Sequence, residues 1–332
     1  MILVYGRSDD PPTLATLEAV RDAGGEVVFA DQRCLAGEGI TIAHGPGGIT
    51  GTLVIAGQRI ALERVTGVFV RPLDPDVSGL DCEEAARVAR MHELLAEWLD
   101  VARVRVVNRP GAMQANASKP LQLQLIGEAG FPVPATLVTS DPDEVLDFWK
   151  LHDRVIYKSA SGIRSIVREL DDTSASRLSL LTRLPVQFQA YVPGVDVRVH
   201  VIGLEAYAAE VRSGGIDYRY AERDGQTTEL EATTLPIEVA SKCVALAASM
   251  DLALAGIDLR KTPDGEYVCF EVNPMPAYTY FEVHTGLPIA DALARFLVRG
   301  DAGGEESTHG ASHREPDTYR RHHRRAAASS YA

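Results

Sequence analysis

Apolar runs of strand length alternate with helically spaced apolar positions along the first hundred residues. Residues 1–6 (MILVYG) and 26–31 (EVVFAD) read as strands, and residues 13–25 (TLATLEAVRDAGG) between them read as a helix closed by glycine. Residues 52–65 (TLVIAGQRIALERV) have the pattern of a hairpin around Ala56-Gly57, and residues 65–72 (VTGVFVRP) form a further strand. From Glu83 to Val101 a long amphipathic helix carries Leu94, Leu95, Trp98 and Leu99 on its apolar side, and residues 104–110 (VRVVNRP) close the unit. Strands alternating with helices predict a small α/β domain with a largely parallel sheet.

The pattern changes beyond that point. Residues 117–130 (ASKPLQLQLIGEAG) predict a helix with Ser118 as cap and Pro120 in its first turn. Residues 131–139 are extended and 141–152 form a capped helix; residues 154–170 (RVIYKSASGIRSIVREL) read as strand, small-residue turn, strand. Residues 185–213 continue as sheet, 236–250 as helix, 255–274 (AGIDLRKTPDGEYVCFEVNP) as a hairpin, and 289–300 as a last helix. Residues 301–332 are polar, end in YRRHHRRAAASSYA, and are expected to be disordered. The glycine cluster 45–51 (GPGGITG) reads as a turn before a hairpin.

Composition narrows the function classes. A chain of 332 residues, 45% hydrophobic, supports about two domains of ordinary size. Its formal net charge of −13 argues against nucleic acid or an anionic membrane as main partner. No apolar run approaches the roughly 18 residues of a spanning helix, and the N-terminus lacks signal-peptide organisation. Cys34, Cys82, Cys243 and Cys269 form no C-x-x-C pair, so neither a zinc site nor a disulfide framework is expected. These features predict a soluble cytoplasmic protein, with a homodimer as the default assembly.

The candidate chemistry sits in the hairpin. Glu271 interrupts an apolar strand, Asn273 follows on the same face, and Asp258 lies on the strand before the turn T-P-D-G. Hard cations such as Mg²⁺ take oxygen ligands of this kind, together with substrate phosphates. An even loop places Asp258 opposite Glu271. A three-residue Pro-Asp-Gly loop sends it to the other face unless a bulge compensates. The plainer alternative is that Glu271 pairs with an arginine and Asn273 only ends a strand; the three residues together favour metal ligation. Residues 158–165 offer a second signal. Lys158 and Arg164 flank Ser159, Ala160, Ser161 and Gly162, small residues that let backbone N–H groups approach phosphate oxygens. By itself this weak signal reads as an ordinary polar hairpin tip. No P-loop, G-x-G-x-x-G or kinase-type motif is present.

Lys119, Lys158, the stretch FQAYVPGVDVRVHVIG, then Asp258, Glu271 and Asn273 come in the order found in ATP-grasp ligases. From about Asn108 to Arg299 the chain resembles their RimK-like branch, which is related to glutathione synthetase and to graspetide synthetases. The resemblance implies an α/β N-terminal domain (1–107) ahead of an α+β ATP-grasp fold whose small (108–184) and large (185–300) subdomains clasp ATP, with the tail at 301–332. It implies phosphate contacts from Lys119 and Lys158, with Ser161, Gly162 and Arg164 in a loop that closes over them. Gln189, Ala190, Tyr191 and Val192 would form the hinge against adenine, largely through backbone groups, and Asp196 would join the nucleotide site. Many relatives carry glutamate where this chain has Ala190. Asp258, Glu271 and Asn273 would hold Mg²⁺, two ions in all, with Mn²⁺ as a substitute.

Arg198 and Arg212 would neutralise the transferred phosphoryl group and the substrate carboxylate, or else pair structurally with Asp196 or Glu210. The implied reaction is ATP-dependent ligation of a carboxylate to an amine or hydroxyl through an acyl phosphate. One alternative is a graspetide-type maturase that crosslinks Asp or Glu side chains of a precursor peptide, with residues 213–225, including Tyr218 and Arg219, facing the peptide. Another is a nonenzymatic ATP-binding scaffold. Residues 275–286 (MPAYTYFEVHTG) are expected at the rim where the carboxylate arrives.

Overall fold

The computed structural model describes residues 1–34, 38–72, 77–114, 118–159, 167–213 and 227–299. Strand β1 (Ile2–Gly6), helix α1 (Pro11–Asp22) and strand β2 (Val27–Asp31) open the chain. Strands β3 (Gly39–Gly45), β4 (Gly48–Ile55) and β5 (Gln58–Ala61) follow, then β6 (Gly67–Val70), α2 (Cys82–Val101) and β7 (Arg105–Val107). β2, β1, β6 and β7 form a parallel sheet in that order. Every residue of β1 is buried because both faces of the sheet are covered. Ile2 and Val4 pack toward α1 residues such as Leu17 and Val20, while Leu3 and Tyr5 pack toward Leu95, Trp98 and Leu99 of α2.

β3, β4 and β5 make a separate antiparallel sheet. Its β4–β5 turn is the Ala56-Gly57 hairpin, with φ of +48° and +74° at the two positions. The first strand of this sheet, β3, escapes the sequence pattern because its side chains are mostly half-exposed.

Next come α3 (Pro110–Met113), α4 (Lys119–Glu128), β8 (Thr136–Thr139), α5 (Pro142–His152), β9 (Val155–Ser159), β10 (Arg168–Glu169), α6 (Asp172–Ala175) and β11 (Val186–Ala190). β10, β9, β11 and β8 form an antiparallel sheet. The last part contains β12 (Val195–Ile202), β13 (Glu205–Ser213), β14 (Thr228–Thr233), α7 (Ile237–Ser249), β15 (Leu254–Lys261), β16 (Tyr267–Asn273), α8 (Tyr278–Thr285) and α9 (Ile289–Arg299). Its five strands are ordered β14-β13-β12-β15-β16. β14 is a half-exposed edge strand, TELEAT, in which Leu230 packs on the core and the apolar signal is short.

The packing divides the chain differently from the boundaries at 108–184 and 185–300. β11 is hydrogen-bonded between β8 and β9, so the small sheet extends past residue 184. Ile126 of α4 and Phe131 share a core with Val197, Val199 and Ile257, so α4 belongs with the large sheet. α9 packs on α1 and closes one face of the N-terminal sheet through Leu293 and Leu297. These assignments depend on contacts between segments well separated along the chain, which local periodicity does not carry.

Asn108 fastens the N-terminal domain to the large sheet. Its Nδ2 donates to the carbonyls of Leu254 (2.7 Å) and Pro274 (2.6 Å), and its Oδ1 accepts from the Leu254 N–H (2.9 Å). The side chain is buried, so Asn108→Ala leaves these backbone groups without partners and should cost about 2–4 kcal/mol of stability. Urea unfolding measures this; an unchanged midpoint would show that the fastening contributes nothing.

Candidate active site

The hairpin of β15 and β16 turns through Pro263, Asp264 and Gly265. Thr262 and Glu266 close it, with the Thr262 N–H donating to the Glu266 carbonyl at 2.9 Å and Gly265 at φ +91°. This loop has the odd parity that sends Asp258 away from Glu271. A bulge at Phe270 restores the register: Leu259 pairs with Cys269, whereas Asp258 pairs with Glu271 and Gly256 with Asn273. Asp258, Glu271 and Asn273 thereby project from one face of the sheet.

The bulge belongs to an edge strand that is satisfied from outside. The Gln122 side chain on α4 donates Nε2 to the Val272 carbonyl (2.7 Å) and accepts the Val272 N–H (3.2 Å), and the Cys269 N–H reaches the Pro132 carbonyl (2.9 Å). In a regular strand outward-facing N–H groups recur every two residues; Cys269 and Val272 are three apart, and the extra residue accommodates that. Gln122 and Asn108 support the site and were not identified as site residues from the sequence. The visible trace of Gln122 is a polar residue one turn before Ile126 on the buried side of α4.

Charged side chains converge around the hairpin. Glu271 Oε2 accepts from Lys119 Nζ (3.2 Å) and Lys158 Nζ (3.4 Å). Arg198 on β12 pairs across the ladder with Asp258, and its Nη1 lies 2.5 Å from Asp258 Oδ1. The guanidinium lies against Gly256: a Cβ there would sit 2.2 Å from Nη2 and 2.7 Å from Cζ. The Phe281 ring flanks the same group at 5.7 Å. On the same face two residues along, His200 is fully buried and neither ring nitrogen has a hydrogen-bond partner. Burial, and secondarily the charge of Arg198, hold His200 well below the usual imidazole range, so it is a neutral neighbour of that arginine.

Other expected positions are distributed as follows. Arg198 takes Asp258 rather than Asp196 as its partner. Asp196 instead pairs with Arg260 (2.7 Å), whose Nη1 also donates to the Val192 carbonyl. Gln189 donates to Thr136 Oγ1 at 3.0 Å. The N–H groups of Ala190 and Tyr191 donate to the carbonyls of Ala135 and Arg154, both at 2.9 Å, so these two hinge donors are engaged within the protein. Arg212 does not join the group. The register puts it on the face of Glu210 and Val197, opposite to Arg198; it is 60% exposed and pairs with Glu210 at 3.0 Å. Ser161, Gly162 and Arg164, the loop 213–225 beyond Ser213, and the segment 301–332 lie outside the described residues.

The 275–286 segment docks onto the N-terminal domain. Arg71, paired with Asp10, donates to the Pro276 carbonyl (3.1 Å), and the buried Tyr278 hydroxyl donates to the Pro12 carbonyl (2.9 Å). Between the small and large sheets lies an open cleft lined by residues that include Ile156, Lys158, Gln187, Gln189, Asp196, Arg198, Asp258, Phe270 and Glu271.

A model of the RimK-like ATP-grasp domain matches residues 116–297, more than half of the chain. The chain belongs to the RimK-like ATP-grasp family. Over 216 residues it is 28% identical to a probable alpha-L-glutamate ligase of Pseudoalteromonas translucida, a match covering 61% of this chain and 70% of that protein. Its fold is similar to the ATP-grasp ligase PsnB, solved with a phosphomimetic variant of a minimal precursor, Mg and ADP. That match has a TM-score of 0.74 and 29% identity, and covers 90% of this chain and 97% of PsnB. The macrocyclase MdnB from Microcystis aeruginosa matches with a TM-score of 0.72 and 25% identity over 90% of this chain and 99% of MdnB. The ATP-grasp match spans both sheets that wall the cleft, and the two structural matches extend into the N-terminal domain. Among the described residues no helix is long and apolar enough to cross a membrane.

Among the described residues no group of three His, Cys, Asp or Glu side chains is placed to hold a metal. The donor set here is two carboxylates and an amide on one sheet face, a set of oxygens that suits Mg²⁺ shared with phosphates. Asn273 Oδ1 already accepts the Met275 N–H at 2.9 Å, and a carbonyl oxygen has a second lone pair for a further contact. Cationic ammonium groups standing at Glu271 show that this carboxylate is placed to hold positive charge. The residues therefore fit the ion.

Proposed function

We propose that the protein is an ATP-dependent carboxylate ligase that activates a carboxylate as an acyl phosphate and joins it to an amine or hydroxyl, releasing ADP and phosphate. The observation that carries this is the convergence of Lys119 and Lys158 on Glu271 beside the Arg198–Asp258 pair, at the floor of a cleft between two sheets. Lys119 and Lys158 would move from Glu271 to the phosphates of ATP. Asp258, Glu271 and Asn273 would hold Mg²⁺, which when bound supplies charge neutralisation for the phosphoryl oxygens. Arg198, immobilised between Gly256 and Phe281, would present a fixed cation to the phosphoryl group as the substrate carboxylate attacks it. Positioning and charge stabilisation account for the chemistry, and no protein nucleophile is needed.

The substrate reading that we favour is a side-chain carboxylate of a precursor peptide. In support, the likeness to PsnB and MdnB reaches TM-scores of 0.74 and 0.72 at 29% and 25% identity over 90% of the chain, N-terminal domain included. The test is incubation with ATP, Mg²⁺ and either a Ser/Thr-rich acidic peptide or free glutamate, following ADP by a coupled assay and product by mass spectrometry. Loss of one water per ADP formed on the peptide supports the peptide reading. Turnover with glutamate alone transfers the activity to the small-molecule reading, and nucleotide binding without turnover on any carboxylate overturns the ligase assignment.

A further inference from the structure

The cleft is lined by groups of mixed chemistry: Lys158, Arg198 and Glu271 are charged, Ile156 and Phe270 are apolar, and Gln187 is among the lining residues. Gln187 pairs across the ladder with Lys158, and Gln189, two residues on along the same strand face, pairs with Ile156. Gln187 is 2% exposed, and its Oε1 is buried without a hydrogen-bond partner. Buried side-chain carbonyls nearly always have a donor, so an orphan one lining a cleft marks where a ligand brings its own. Groups that follow on the same chain segment are already engaged: Gln189 Nε2 by Thr136, the Ala190 and Tyr191 N–H groups by backbone carbonyls, and the Val192 carbonyl by Arg260.

We propose that Gln187 is a specificity-determining residue that reads the base of the bound nucleotide and selects adenine. This inference rests on the nucleotide reading of the cleft given above. Its Oε1 accepts from the 6-amino group and its Nε2 donates to N7, the bidentate pairing by which a side-chain amide distinguishes adenine. In an anti nucleotide the N7 edge lies on the phosphate side of the base, which matches the place of Gln187 beside Lys158. Guanine and hypoxanthine carry oxygen at position 6. With N7 as a second acceptor, an amide in either orientation then sets its own oxygen against an acceptor. A buried amide has no water to relieve that mismatch.

The test is calorimetric titration of the full chain, with Mg²⁺ present, by ADP, inosine diphosphate and 7-deaza-ADP. Wild type should prefer ADP to each analogue by about 10- to 100-fold. Gln187→Leu, similar in volume, should bring the ratio of ADP to 7-deaza-ADP to one and lower the ratio of ADP to inosine diphosphate. Gln187→Glu keeps the acceptor and loses the donor, so it should retain preference over inosine diphosphate while losing preference over 7-deaza-ADP; a residue with only a packing role would not split the two. If wild type binds ADP and Gln187→Leu keeps both ratios, the proposal is overturned and the nucleotide reading stands. Should wild type bind none of the three, both fall. Where the leucine variant fails to fold, equal wild-type affinity for ADP and 7-deaza-ADP overturns the proposal by itself.

Discussion

Glu271→Gln should lower the rate of ADP release by about 100-fold or more while leaving the protein folded. Outer-shell partners of metal ligands already cost about 10–100-fold when removed, and Glu271 is proposed as a ligand itself. The substitution is isosteric, so it preserves the Phe270 bulge and the Gln122 contacts to Val272 that hold the strand. What it removes is the one carboxylate oxygen on which Lys119 and Lys158 meet. Without that charge, two ammonium groups face each other in a cleft where they are only about 15% exposed, and the partner that draws divalent metal into the site is lost. The checks are steady-state ADP release and the Mg²⁺ dependence of ADP binding by calorimetry. Equal rates and an unchanged Mg²⁺ dependence would falsify the role of this residue.

Arg198→Lys should lower turnover by about 10²–10³-fold, the range seen when one fixed donor to developing charge is removed, although the charge is conserved. The reason is the bed in which the side chain lies. A planar guanidinium rests against the bare Cα of Gly256 with Phe281 beyond it, and reaches Asp258 from there. A flexible ammonium gains nothing from that slot. Gly256→Ala should act in the same direction from the other side, because a Cβ would stand within 3 Å of Cζ and of Pro276 Cβ, so the guanidinium must leave its place. The double variant tests the logic. If Arg198 acts through its seat on Gly256, the effects of the two substitutions fall far short of adding. Full additivity in log kcat, with KM for ATP unchanged in each, would separate the glycine from the arginine and sink the account of how Arg198 is positioned.

Much of the fold was legible because it is written in local periodicity. The parallel sheet of the first domain shows as continuous apolar strands separated by amphipathic helices, since burial on both faces demands it. The Ala56-Gly57 turn shows because glycine, which accepts positive φ without steric cost, stands between two alternating strands. β3 and β14 did not show, as half-exposed strands carry little apolar signal. Of the site, Lys119, Lys158, Arg198, Asp258 and Glu271 were nameable from motif order, and the structure brings them together. Arg212 was nameable by the same reasoning and is carried away by alternation along β13, to the side of Glu210. Gln122 and Asn108 were not nameable as site supports, because a buried amide looks like any polar residue until its backbone partners are known.

The sequence alone determined which side chains could do this chemistry, since residue type, order and two-residue spacing place Glu271 and Asn273 on a common strand face. It left open whether Asp258 shares that face. The Pro-Asp-Gly loop by itself gives the wrong parity. The answer came from one extra residue at Phe270, in an edge strand held by Pro132 and Gln122 from a distant part of the chain. A side-chain period of two makes a single-residue slip reverse every orientation, so the tertiary contacts that fix that slip decide whether the site exists.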